Sequence, residues 1–419
     1  MSIFKRDFLL LLAGRFVTNL GNQVHDIAML LWIKELTGSP AVMGIALMLT
    51  NLPEPLLAPL GGKVADRLGK VRTMVGSDLV SFLAVLAVFA VALGKCSPGL
   101  AIATLCASNV ILGVAASCFI PASFAIVPDL VPRDRLEKGN AVHGFSGLGA
   151  KAAGQGIGGL LFSAFGAAPA FLINALSFLA SALFEAKIRE PAAPASSRAR
   201  EPLTPLRILN ETFEMIGKVL GDPGLRKLLL YIAAFHLFLS ALPVSLPFYV
   251  ENVLRISGKW FGFFIAAYTA GILAGFVLSG ILPPATQRFR RIALMSAQVG
   301  LLFGVTAATG NAWVAWAALF GIGAGIGVII VNLMTELQLK GDERDRGGIM
   351  GAAHAVGGAS FPLGMALTGL LLDGLHRLDW PYGTSIRLIL AASAVSSTIL
   401  AVSALRRTPR RTLDGETSA

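Results

Sequence analysis

The sequence predicts an all-α membrane protein of twelve transmembrane helices arranged as two pseudo-symmetric six-helix bundles. Three observations predict it. Of the 419 residues, 55% are hydrophobic and only 14% charged, with a mean hydropathy of +0.71, far from the composition of a soluble domain. Apolar runs of roughly 20 residues, enough to cross a bilayer, recur along the chain. A polar, proline-rich stretch at 188–226 interrupts that rhythm midway, leaving six runs on either side.

The first bundle, residues 1–187, contains runs at 8–33, 41–60, 73–94, 99–121, 143–164 and 169–187. Lys5-Arg6 followed by Phe8 to Ala13 has the start of a signal peptide, but the run continues through Arg15, Asn19 and Asp26 without a small-residue cleavage site, so it reads as a retained helix. The linker 188–226 carries Pro191, Pro194, Ser196, Ser197 and Pro202; Leu206 to Leu220 then reads as an amphipathic helix lying on the membrane surface. The second bundle, 227–405, has runs at 227–250, 260–283, 291–310, 312–334, 348–373 and 384–405, and a polar tail occupies 406–419. Cys96, Cys106 and Cys118 are unclustered, giving neither a disulfide framework nor metal-ligand spacing. No metal and no cofactor is expected.

The formal charge of +11 points to the membrane surface, not to nucleic acid, because of where the cations sit. With the N-terminus inside, the loops after even-numbered runs, the linker and the tail take most of the Lys and Arg. The other face receives Lys34, Lys95, Arg255, Lys259, Arg377 and Arg387. Both termini are therefore expected in the cytoplasm.

Between the second and third runs stands Gly62-Lys-Val-Ala-Asp66-Arg67-Leu-Gly69-Lys70-Val-Arg72. Glycines let helix ends approach closely, cations face the head groups, and Asp66 can sit against a helix N-terminus. This spacing resembles the signature between helices two and three of the major facilitator superfamily. A degraded counterpart, Gly280 with Arg288, Arg290 and Arg291, recurs in the second half. Pro121-Ala-Ser-Phe-Ala-Ile-Val-Pro128-Asp129-Leu-Val-Pro132, Ala170-Phe-Leu-Ile-Asn174-Ala-Leu-Ser177-Phe and Asp222-Pro223-Gly-Leu-Arg226 resemble the macrolide-efflux and enterobactin-exporter branch. The resemblance implies the major facilitator fold, a midplane site between the bundles, and secondary active efflux, usually proton-driven, in a bacterial cytoplasmic (inner) membrane. It also implies that Asp66 leans on a helix end of the opposite half while Arg67 or Arg72 pairs with Asp129, with Asp78 joining them; Gly62, Gly69 and Lys70 complete this conformational latch.

Two departures matter. No arginine stands around Leu112 to Ser117, where many proton-driven drug exporters carry one. Gly154-Gln155-Gly156-Ile-Gly158-Gly159 resembles the antiporter motif with Gln155 in place of its proline, and its glycine spacing also serves close helix packing.

On the first helix, Arg15, Asn19, Asn22 and Asp26 are spaced 4, 3 and 4 apart, one narrow stripe roughly 16 Å long. An ionisable group at membrane depth costs on the order of 3 kcal/mol or more, so the stripe lines a cavity or pairs. Asp26 is the candidate proton carrier and Glu54, between Pro53 and Pro55, the second. Lys151, one turn before Gln155, is a counter-charge to either, or snorkels. His25 points away from the stripe and reads as packing. His236 and His354 are the midspan ionisable candidates of the second half.

These residues suit a monomeric, proton-coupled exporter of an amphipathic small molecule, drug-like or siderophore-like, surrounded by membrane lipids. A lipid or lysolipid flippase of the same fold is the alternative, since Arg15, Lys151, Asp26 and Glu54 suit a zwitterionic head group. A membrane enzyme has no support in the sequence: it has no nucleophile elbow, phosphate loop or ligand cluster.

Overall fold

The computed structural model describes residues 5–94, 96–132, 136–189, 220–282, 288–340 and 346–405, with single residues 210, 214 and 217 between them. The amphipathic stretch 206–220, almost entirely, and the tail lie outside the described residues. The helices begin and end where local chemistry directs. α1 (Arg6–Thr37) stops at Gly38, whose left-handed backbone (φ 62°) lets its N–H reach the Lys34 carbonyl at 2.8 Å. Ser39 then caps α2 (Pro40–Asn51), its hydroxyl accepting the Val42 N–H at 3.2 Å with Pro40 at the first helical position.

The second run is two helices, not one. Pro53 has no N–H to continue the ladder, so the chain breaks at Leu52 and restarts as α3 (Pro53–Leu68). Gly69, at φ 94° and ψ 145°, makes the turn into α4 (Lys70–Leu93), a conformation open essentially to glycine alone. α5 (Pro98–Ala125), the short α6 (Val127–Leu130), α7 (Leu136–Phe165) and α8 (Ala167–Glu185) complete the first half. In the second, Asp222 caps α9 (Pro223–Leu239) through the Gly224 and Leu225 N–H groups at 2.7 Å each. The seventh run also breaks, at Ser240, before α10 (Ala241–Asn252). α11 (Phe261–Ile281), α12 (Arg288–Ala308), α13 (Ala312–Lys340), α14 (Arg346–Arg377) and α15 (Tyr382–Leu405) follow.

The fold is that of an all-α membrane protein with twelve spans. Ten of the described helical segments are long and apolar enough to cross a membrane. α1 and α7 have the length, 32 and 30 residues, but their polar residues lower their hydropathy. α1 lies against α7 and α8, α4 against α5 and α8, and α3 against α5; in the second half α11 packs on α13, α12 on α13 and α15, and α9 on α14. Leu83, Val277, Ile281, Leu301 and Trp313 are each more than half exposed, the outward apolar surface a bilayer would cover.

The two halves meet along α2 with α14 and α7 with α11. Glycines set these crossings: a Cβ at Gly159 would lie 3.3 Å from Gly262 of α11, and one at Gly369 of α14 would collide with the Pro40 carbonyl. At the end where α1 stops, polar contacts join the halves. Lys34 Nζ lies 2.5 Å from Glu251 and donates to the Pro247 carbonyl at 3.0 Å, and Ser39 Oγ donates to Asp373 at 2.5 Å. Each half also holds an internal ion pair at its other end: Lys70 with Asp129 at 2.5 Å, and Arg288 with Glu336 at 3.5 Å. These pairs occupy matching places, the start of α4 with α6 and the start of α12 with the end of α13.

Candidate functional site

A cavity of about 310 Å³ opens within the first half. Its wall is built from α1 (Arg15, Asn19, Asn22, Asp26), the α2–α3 break (Asn51, Glu54), Asp78 of α4, α5, Lys151 of α7 and Phe178 of α8. The polar stripe of α1 thus turns inward, as its cost in lipid requires. The wall draws on the first half alone, whereas the sequence placed a site between the bundles.

Asp26 sits at the head of an amide chain. Gln155 Nε2 donates to Gln23 Oε1 at 3.0 Å, and Gln23 Nε2 donates to Asp26 Oδ2 at 3.2 Å. Lys151, on the same helix as Gln155, lies within electrostatic range of Asp26. Close packing makes the chain possible: a Cβ at Gly154 would lie 2.7 Å from the Leu20 carbonyl and one at Gly158 3.0 Å from Val24 Cα, so only glycine lets α7 lie this near α1. Gly154, Gly158 and Gly159 of the antiporter-like run therefore do packing work, and Gln155, standing where the motif has proline, closes the chain to Asp26. Gln23 escaped the sequence reading, although it follows Asn19 by four residues and so shares the face of the stripe.

Three further cavity residues hold hydrogen bonds to the protein. Asn19 donates to the Arg15 carbonyl at 2.7 Å and Asn51 to the Leu47 carbonyl at 2.8 Å. Arg15 Nη1 donates to Ser123 at 2.8 Å, and its guanidinium stands 5.0 Å from the Phe124 ring. Glu54 lies in the first turn of α3 and faces the cavity. His25 is 1% exposed with its ring 5.0 Å from Phe171, in keeping with packing, though it also touches the cavity wall.

His236 lies elsewhere. Its Nδ1 is 2.8 Å from the Ile232 carbonyl and its ring meets Phe361 edge-on at 6.3 Å, between α9 and α14. The side chains of His354 and Asp66 lie outside the described residues. Of the expected latch, the partner of Asp129 is Lys70, in place of Arg67 or Arg72: Lys70 opens α4 and reaches Asp129 of α6, while Arg67 and Arg72 are exposed. Asp78 is not in that group. It is 2% exposed, two turns deeper in α4, with Ser181 of α8 within hydrogen-bonding reach. Gly62 has open room, with Pro121 3.9 Å from a notional Cβ, whereas one at neighbouring Gly61 would collide with the Ser117 carbonyl. The close approach of α3 to α5 is thus at Gly61.

Comparison with known proteins agrees with this architecture. The family model described as Major Facilitator Superfamily matches residues 11–343. The MFS-type transporter YfiS of Bacillus subtilis is 28% identical over 183 residues, which is 43% of this chain and 41% of that protein. Macrolide efflux protein A of Streptococcus pyogenes is 20% identical over 387 residues, covering 90% of this chain and 92% of that protein. Among solved structures, the nucleoside transporter NupG superposes with a TM-score of 0.77 at 11% identity, over 95% of this chain and 99% of that one. A match across most of the chain, on a fold of twelve spans in two halves, makes it a membrane transporter of the Major Facilitator Superfamily.

Proposed function

We propose that the protein exports an amphipathic small molecule by proton antiport, alternately exposing its cavity through rocking of the two halves. The observation that carries this reading is Asp26: a carboxylate on the cavity wall, tied through Gln23 to Gln155 and faced by Lys151. Such a group can trade a proton for a cationic or hydrogen-bond-donating part of the cargo, since the first cancels its charge and the second solvates it in a desolvated setting. Lys151 holds the site near neutrality while Asp26 is ionised. The macrolide efflux protein among the relatives favours an amphipathic drug as cargo. Cation placement along the sequence supports a cytoplasmic location for both termini, and on that orientation the end sealed by Lys34 and Glu251 is the outer one. Residues 1–187 and 227–405 act as the two moving bodies, with 188–226 as their tether. The hairpin Gly62 to Arg72 serves as a latch for one of the two end states.

The test is cargo uptake into everted vesicles against a chemically diverse panel, driven by an imposed pH gradient. Accumulation that collapses with a protonophore supports the reading, and accumulation indifferent to the gradient counts against it. The mixed charges Arg15, Lys151, Asp26 and Glu54 on one wall also suit a zwitterionic head group, so labelled lysolipid belongs in the panel. Translocation of lysolipid alone would replace export of a soluble drug by flipping of a lipid.

A further inference from the structure

Away from Asp26, two acids lie buried within electrostatic range of each other. Asp78 of α4 is 2% exposed and Glu185, the last residue of α8, is fully buried. Ser181 joins them: its hydroxyl donates to Glu185 Oε1 at 3.4 Å and lies within hydrogen-bonding reach of Asp78. One oxygen of each acid, Asp78 Oδ2 and Glu185 Oε2, is buried without a hydrogen-bond partner. The hydroxyl of Thr18, 6% exposed on the facing side of α1, is likewise unpartnered and lines the same cavity as Asp78, Ser77 and Ser81. The approach of α1 is close: a Cβ at Gly14 would lie 3.0 Å from Ser181 Oγ and 3.6 Å from Glu185 Cγ.

The charges around the pair do not balance. Arg15 of α1 is the cation within electrostatic range of Glu185, and α5, packed on α4, presents to it Ser123 and Phe124, which hold the guanidinium. His143 of α7, fully buried, stands edge-on to Phe124 at 4.9 Å and feels Arg15. Among the described residues, two carboxylates against one guanidinium leave one negative charge uncompensated in a buried place, which is costly. Among the described residues no group of three or more His, Cys, Asp and Glu could hold a metal ion, so the simplest cancelling charge is a proton.

We propose that Asp78 and Glu185 form a second proton-binding site, one proton being shared between them across Ser181 and reached from the cavity through Asp78, with Arg15 as the cation that responds to its loss. Loading transfers a proton from cavity water to the pair. Release returns it to water and leaves two carboxylates, toward which Arg15 is drawn from Ser123 and Phe124. Such a swing would couple the proton to the seating of α1 against α5. The site rests on the proton-coupled reading for its purpose, but its existence is measurable without cargo.

The experiment is infrared difference spectroscopy of the reconstituted protein between low and high pH, following the carboxylic-acid stretch. A shared proton predicts that the band assigned to the pair disappears in Asp78→Asn and in Glu185→Gln alike, since the surviving acid then pairs with Arg15, and that it persists in Asp26→Asn. Ser181→Ala, a milder change, should shift and broaden the band while leaving the melting temperature close to wild type, which keeps the test open if a charged-pair variant folds poorly. A band that survives in both single variants, or an unchanged band in Ser181→Ala, overturns the sharing. Thermal stabilisation by Na+ at constant ionic strength, lost in Asp78→Asn, also overturns it, in favour of a metal cation. If the band behaves as expected while vesicle transport ignores the pH gradient, the antiport reading fails and the site stands.

Discussion

Lys34 of α1 and Glu251 of α10 lie 2.5 Å apart across the seam between the two halves, with the Lys34 ammonium also bonded to the Pro247 carbonyl at 3.0 Å and 5.2 Å from the Phe248 ring. One cation thus fastens the last turns of α1 to the second half at one end of the molecule. Lys34 is largely buried and Glu251 is 41% exposed, so solvent screens part of the attraction. Breaking the pair should cost about 1 kcal/mol and shift the end-state populations roughly fivefold. Lys34→Ala and Glu251→Ala should both raise thiol labelling of a cysteine placed at Val250, fully buried on α10 beside Glu251, and the swap of Lys34→Glu with Glu251→Lys should restore the wild-type rate. An unchanged labelling rate in both single variants would show that the seam is held by apolar packing alone.

Asp26→Asn keeps the side chain's size and its contact with Gln23 but removes the charge. Concentrative, pH-driven transport should vanish while downhill exchange of cargo persists with a flattened pH dependence. Gln155→Leu, which cuts the amide chain one link away, should weaken coupling by a smaller factor. A variant that still accumulates cargo with wild-type pH dependence would make Asp26 structural and promote Glu54.

Glycines of the α3–α4 hairpin should not tolerate substitution equally. Gly69 sits at φ 94°, where a side chain is strained by about 1–3 kcal/mol, and Gly61 meets the Ser117 carbonyl. Gly69→Val and Gly61→Val should therefore depress turnover strongly. Gly62→Ala, with Pro121 3.9 Å from the new methyl, should leave it nearly unchanged. Insertion and cargo binding, measured in parallel, should survive Gly69→Val, since the hairpin governs exchange of states; loss of binding as the first defect would count against the latch.

Lys70 rather than its neighbours pairs with Asp129. Lys70→Ala should slow the transport cycle more than Arg67→Ala or Arg72→Ala, and Arg288→Ala, in the matching pair of the second half, should produce a milder version of the same defect. Equal effects of all three cations in the first hairpin would reduce them to membrane anchors.

Reporters fused to either terminus should both be cytoplasmic, as the cation distribution demands. A C-terminus on the opposite face would overturn the count of spans.

Much of this molecule is legible in one dimension. Hydropathy marks ten of the spans outright, because a segment in lipid must satisfy its own backbone and present apolar side chains; α1 and α7 show by length and the rhythm of the runs. The turn at Gly69 and the inward-facing stripe of α1 follow from residue chemistry and helical period. What the sequence misplaced depends on which helix lies beside which. The sequence shows Pro53, whose missing N–H breaks the second run at Leu52, but not that α3 then closes on α5 at Gly61 in place of Gly62. Lys70 was chosen over Arg67 and Arg72 by the direction in which the first turn of α4 points. Nothing in the sequence singles out Glu185 near the end of the 169–187 run; the packing of α8 against α4 and α1 brings it to Asp78 and Ser181. The cavity's position within the first half was likewise settled in three dimensions, since a stripe on one helix says that a polar partner exists and not which helices supply it.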